Sequence, residues 1–182
     1  MRAGRGETFL ISILLLGSIL FGSGCTDSGN SSIVKVGNTI QVDYTGKFEN
    51  GTVFDTSVEE IAKEAGIYTE QRTYVPLTVK VGSGQLIQGF DEGVIGMKKG
   101  EEKTLTIPPE KAYGEYDDAK IQAVSLEDLN LSVKPEIGQI FSSMYGDQFR
   151  VIDVNETHVT FDSNHKLAGK TLIFDIKLIS IE

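Results

Sequence analysis

The sequence predicts an α+β fold of antiparallel strands and short helices, on three observations. Residues 39–48 alternate polar and apolar side chains as a strand, 52–56 return as its partner, and Asn50-Gly51 between them supplies the positive φ angles of a tight hairpin turn. Residues 82–96, GSGQLIQGFDEGVIG, pass from a turn into a short apolar helix, and residues 101–107 then alternate as a strand. Residues 121–161 hold several apolar runs, closely spaced and separated by turn residues, the pattern of a small all-β unit.

Composition narrows the function. The 182 residues are 40% hydrophobic and 24% charged, which suits one globular core with a small satellite. A net charge of −9 argues against nucleic acid, whose phosphates demand Lys and Arg. A single cysteine excludes an internal disulfide. With only His158 and His165 beside it, no soft-metal cluster can form, so neither metal nor cofactor is expected.

Residues 1–24 read as a secretory signal. Arg2 and Arg5 precede the apolar run 9–21, and the small residues Gly22-Ser23-Gly24 follow. Cys25, directly after them, resembles the lipobox cysteine that is lipidated and becomes the new N-terminus, although Gly22 stands where that pattern prefers Leu. One alternative is an uncleaved anchor, for which the run is short against the ~20 residues of a membrane span. The other is plain cleavage with a free cysteine. All three place the folded part outside the cytoplasm, behind a polar linker over residues 25–33, and the first two hold it at a membrane.

The remaining elements follow in order. After the hairpin, Ser57 with Glu60 three residues on has the form of a capping box, so a helix is expected over 58–65, stopped by Gly66. Residues 68–74 form a loop without periodicity, and 76–81 a strand with Leu77, Val79 and Val81 on one face. The next helix has Leu86, Ile87 and Phe90 at its start and Asp91 and Glu92 in its first turn, where the dipole favours acids. Val94, Ile95 and Met97 continue it, and Gly96 with Lys98-Lys99-Gly100 marks its stop. Pro108-Pro109 ends the strand over 101–107. Further along, 121–124, 129–133, 139–144, 148–154 and 158–161 are short apolar or alternating runs, with one helical turn over 125–129.

In this order, VDYTGKFENGTVFDTS, GSGQLIQGFDEGVIGMKKGE, PPEKAYG and the closing LIFDIKLISIE resemble the FKBP family of peptidyl-prolyl cis-trans isomerases, from residue 34 to the C-terminus. The resemblance implies a curved antiparallel sheet around a short helix, formed by residues 34–118 and 165–182. Residues 119–164 interrupt the family pattern as an inserted small all-β domain. An insert here with the return NHKLAGK resembles the SlyD-type subgroup, whose inserted flap binds unfolded polypeptide and gives chaperone activity. The His- and Cys-rich metal-binding tail common in that subgroup has no counterpart before Glu182, so no nickel role is expected.

Turning an X-Pro bond needs no covalent step. The barrier of about 18–20 kcal/mol comes from amide resonance. The planar amide is the more dipolar form, so a dry pocket shaped to the twisted form lowers the barrier. The resemblance puts Tyr44, Phe54, Asp55, Ile87, Tyr113 and Phe174 at catalytic positions and Leu77, Leu86 and Phe90 at substrate-binding ones. Phe90 takes the floor, where many members carry Trp. Tyr113 matches the hydroxyl donor toward the substrate carbonyl, and the Ile87 N–H is a further donor. Without the resemblance, the aromatics read as core, Asp55 as a solvated turn acid and Tyr113 as a phenol satisfied by backbone. His165 reads as a turn cap rather than a proton carrier, and Gly82-Ser83-Gly84 lacks the Lys-Ser/Thr of a phosphate loop.

The implied protein is a monomeric isomerase acting on proline-containing or unfolded polypeptide, with chaperone binding through the insert. The alternatives are a non-catalytic holdase on the same scaffold and a lipoprotein scaffold for adhesion or assembly.

Overall fold

Buried and half-buried side chains alternate over the first half of β1 (Thr39–Phe48), and this strand sits at the centre of the main sheet. A computed structural model describes residues 33–129, 133–144 and 146–182. The expected signal, Cys25 and the expected linker up to residue 32 lie outside the described residues.

The hairpin return β2 (Val53–Thr56) and β3 (Leu77–Lys80) share one edge of β1, paired with opposite halves of it. The other edge pairs with β9 (Leu172–Ile181), from Ile40 opposite Ile181 to Phe48 opposite Leu172. β4 (Glu102–Ile107) closes the far side of β9, and every pairing is antiparallel. The expected α+β class with antiparallel strands is what the chain adopts. Ile40, Val42, Leu172 and Leu178 are wholly buried, each worth about 1.5–3 kcal/mol of transfer free energy.

Helix α1 (Glu59–Glu64) starts later than expected, and Ser57 does not cap it. The Ser57 hydroxyl accepts the Tyr44 N–H at 3.0 Å and donates to Asp43 Oδ1 at 2.9 Å. The neighbouring strand thus outcompetes the helix for this side chain, and Val58 stands at the cap without a side-chain bond. Helix α2 (Gln88–Val94) buries Phe90 and Val94, one turn apart on one face. It ends earlier than expected, and Met97 reaches the core from the turn beyond Gly96, whose φ is +85°. Two glycines set its distance from β4. A Cβ on Gly89 would lie 2.4 Å from Ile107 Cγ2, and one on Gly93 would lie 2.2 Å from Leu105 Cδ1.

A second antiparallel sheet comprises β5 (Ile121–Ser125), β6 (Ile140–Ser142), β7 (Gln148–Val154) and β8 (His158–Asp162), in the order β5-β8-β7-β6. Its own core is small: Val151, Val159 and Phe161, with Phe141 edge-on to Phe161 at 5.6 Å. The run expected over 129–133 falls largely outside the described residues, which omit 130–132, and Leu129 ends the helical turn α3 (Leu126–Leu129).

Candidate active site

A cavity of about 500 Å³ opens beside the first turn of α2. Tyr44, Phe54, Asp55, Leu77, Leu86, Ile87, Phe90, Tyr113 and Phe174 all line it, so every pocket residue singled out in the sequence meets at one place. Gly84, Gln85, Gln88 and Ala112 complete the wall.

Phe174 is the hub. Its ring meets Phe54 edge-on at 5.7 Å and Phe90 edge-on at 5.5 Å, and Tyr44 lies tilted at 6.3 Å. Such pairs add about 0.5–1.5 kcal/mol beyond area burial. Phe90 and Phe174 are only 3% and 7% exposed, so they serve as core and as cavity floor together. Sequence reasoning missed the residue that lets them meet. Gly46 lies opposite Phe174 across the β1–β9 ladder. A Cβ there would sit 2.7 Å from Phe54 Cζ and 3.0 Å from Phe174 Cε1. The available signal was a glycine inside an alternating strand, which weakens the strand unless something approaches closely.

The polar rim is built on Asp55. Tyr44 donates its hydroxyl hydrogen to Asp55 Oδ2 at 2.9 Å and accepts a bond from Arg72 Nη2 at 3.0 Å. Arg72 Nη1 donates to Asp55 Oδ1. Burial, then the Asp55 charge, holds the Tyr44 phenol above its ordinary pKa, and the bond to Asp55 raises that of Arg72. Both Asp55 oxygens are therefore engaged, which suits orientation of its neighbours rather than proton transfer. Arg72 was invisible in the sequence because it lies in the aperiodic loop. There its guanidinium sits 5.3 Å above the Tyr74 ring, itself stacked on Tyr68 at 5.5 Å.

Tyr113 differs from Tyr44. It is 41% exposed, and its hydroxyl has no partner among the described residues. Burial and then the Asp55 charge raise its pKa above the ordinary phenol value. Its ring stacks on His165 at 4.0 Å with planes 5° apart. His165 Nδ1 accepts the Leu167 N–H at 3.2 Å, a turn cap as its position suggested, but the stack had no sequence signal. The Ile87 carbonyl accepts the N–H groups of Phe90 and Asp91 at 3.0 and 3.2 Å, opening α2. Its own N–H finds no acceptor among the turn, loop and cap bonds of the described residues.

Chemically the site offers aromatic walls and a few hydrogen-bond donors. Among the described residues, no group of three or more His, Cys, Asp or Glu side chains is placed to hold a metal. A second cavity of about 300 Å³ lies in the β5–β8 sheet. It is lined by Val124, Leu129, Phe141, Phe149 and Phe161, with Lys120, Gln122 and Ser163 completing the lining.

Comparison with known proteins agrees with this geometry. Residues 30–179 match the family described as FKBP-type peptidyl-prolyl cis-trans isomerase. The short-type peptidyl-prolyl cis-trans isomerase of Methanocaldococcus jannaschii is 44% identical over 152 residues, 83% of this chain and 96% of the relative. The FKBP-type isomerase SlyD of Treponema pallidum is 31% identical over 81% of this chain and 79% of its own. The 16 kDa FKBP-type isomerase of Escherichia coli is 27% identical over 84% of this chain and 96% of its own. With the family match over residues 30–179 and a relative 44% identical over 83% of this chain, the chain belongs to the FKBP-type peptidyl-prolyl cis-trans isomerases.

Proposed function

We propose that this isomerase acts on X-Pro bonds of unfolded or partly folded polypeptide outside the cytoplasm, and that residues 119–164 hold the client chain beside the cavity. The proline ring packs into the bowl of Phe54, Phe90 and Phe174. The carbonyl of the preceding residue turns toward the Tyr113 hydroxyl, with the Ile87 N–H as a second donor. Water is excluded, so the flat, dipolar amide loses its solvation advantage and the twisted form is favoured. Asp55 and Arg72 fix the Tyr44 ring as the wall opposite. The observation that carries this reading is the pairing of a three-ring aromatic floor with a phenol that has no partner among the described residues.

Capture by the inserted segment is supported by its apolar cavity and by its exposed side chains. Val133, Ile137, Ile140 and Met144 are 79%, 68%, 52% and 90% exposed, far more than a unit with so small a core needs to leave in water. Holding the client there raises its local concentration at the bowl. Isomerisation then relieves a folding step that otherwise takes about 10–100 s.

Replacing residues 120–163 by a short loop tests the division of labour. The Ser163 N–H bonds the Lys120 carbonyl at 3.1 Å, so the ends already meet. Turnover of a short Xaa-Pro peptide is expected to survive, while catalysis of proline-limited refolding falls by about 100-fold. Equal loss of both contradicts the proposal. For the location, Cys25→Ser is expected to release the protein from the membrane fraction, and unchanged fractionation contradicts the lipid anchor.

A further inference from the structure

A charged cavity adjoins the apolar one and reaches a residue stacked on the wall of the bowl. It has a volume of about 580 Å³, and its lining includes Lys120, Arg150, Asp162, Asn164, His165 and Lys166. It shares Lys120 and Ser163 with the apolar cavity of the second sheet. At its other end, His165 is the ring stacked on Tyr113, which lines the isomerase bowl. Strand register explains the gathering. Asp162 pairs with Ile121 on one side and Arg150 on the other, and the Ser163 N–H bonds the Lys120 carbonyl.

The balance of charge in this cavity is reversed relative to the chain. The whole sequence carries −9, yet the lining has three cations and one carboxylate. That carboxylate is engaged: Asp162 accepts the Tyr116 hydroxyl at 3.0 Å, the Asn164 N–H at 2.8 Å and the Asn164 side-chain amide at 2.9 Å. Among the described residues, no salt bridge occupies Lys120, Arg150 or Lys166. A chain held in the apolar cavity therefore has these cations beside it.

We infer that this cavity is a subsite for an acidic side chain of the client, so that preferred clients carry Asp or Glu between an apolar anchor and the X-Pro bond. This rests on the reading that the inserted segment holds the chain. Acidic spacers are drawn in, and basic spacers are repelled by the same three charges, so the discrimination has both an attractive and a repulsive part. The charges are open to solvent, so the preference is modest and screened by salt.

The experiment uses the full chain and peptides of the order apolar anchor, spacer, Ala-Pro. With the native protein at low salt, an Asp-Asp spacer is expected to give a KM about fivefold below that of a Lys-Lys spacer. The preference is expected to vanish at ~1 M salt. It is also expected to vanish in the combined variant Lys120→Gln, Arg150→Gln, Lys166→Gln, with turnover of a short Xaa-Pro peptide unchanged. Equal KM values for the two spacers in the native protein overturn the inference, as does a preference that persists at high salt or in the combined variant. A third peptide keeps Asp-Asp but replaces the anchor with Ser and Gly. If it binds as tightly as its parent, the holding role of the inserted segment fails, and that outcome is separate from the spacer comparison.

Discussion

The Tyr113 ring lies flat on the His165 imidazole, with centroids 4.0 Å apart and planes within 5°. The stack joins the Tyr113 phenol, proposed above as the donor to a substrate carbonyl, to the segment by which the chain returns from its second sheet. His165 Nδ1 accepts the Leu167 N–H, so the arrangement needs a neutral ring with its proton on Nε2.

That requirement sets a pH dependence. Partial burial, and then the Lys166 charge, lower the His165 pKa below 6.5. On acidification below about 6.5 the unfolded chain takes up this proton before the folded one does. The stability carried by the neutral ring is therefore present above that pH and lost as pH falls through the lowered value. Thermal unfolding measured against pH is expected to show a shallower acid limb in His165→Gln than in the native chain. Identical limbs would remove His165 from the account.

The Asp55 cluster predicts non-additive losses. Asp55→Ala strands both the Tyr44 hydroxyl and Arg72, and kcat/KM on a short peptide is expected to fall about tenfold. Arg72→Ala is expected to cost about threefold, because the ion pair is more than a third exposed on both sides. The double variant should be little worse than Asp55→Ala alone, since the two act through one ring. Losses that multiply would mean that Arg72 meets substrate directly.

Close packing at Gly46 predicts a different signature. Gly46→Ala drives a methyl into Phe54 and Phe174 and is expected to cost about 1–3 kcal/mol in urea unfolding. Activity should fall further than that stability loss explains, because the displaced rings form the bowl. Gly51→Ala is the control. Its surroundings are open but its φ is +84°, so stability drops and kcat/KM stays. Equal activity in the two variants would contradict the role given to Gly46.

Much of this was legible in the sequence. Strand alternation located β1 and β4, while the family resemblance carried by the order of short motifs supplied β9 and pointed to Tyr44, Phe54, Ile87, Tyr113 and Phe174, which line one cavity. What escaped depends on partners distant in sequence. Ser57 had a valid capping box, yet the β1 backbone and Asp43 claimed its hydroxyl. Arg72 sits in a loop whose composition carries no period, and its partners Asp55 and Tyr44 lie far back along the chain. His165 met Tyr113 only because the second sheet returns the chain to its starting point.

The most direct measurement is the rate of cis-to-trans isomerisation of a short Xaa-Pro peptide at substoichiometric protein, for the native chain and for Tyr113→Phe. The native rate is expected to rise linearly with protein. Tyr113→Phe is expected to lower kcat/KM about threefold to tenfold while unfolding at the same temperature, as loss of one substrate hydrogen bond would do. A native protein that suppresses aggregation of unfolded clients yet leaves the peptide rate at its uncatalysed value would contradict catalysis by this cavity.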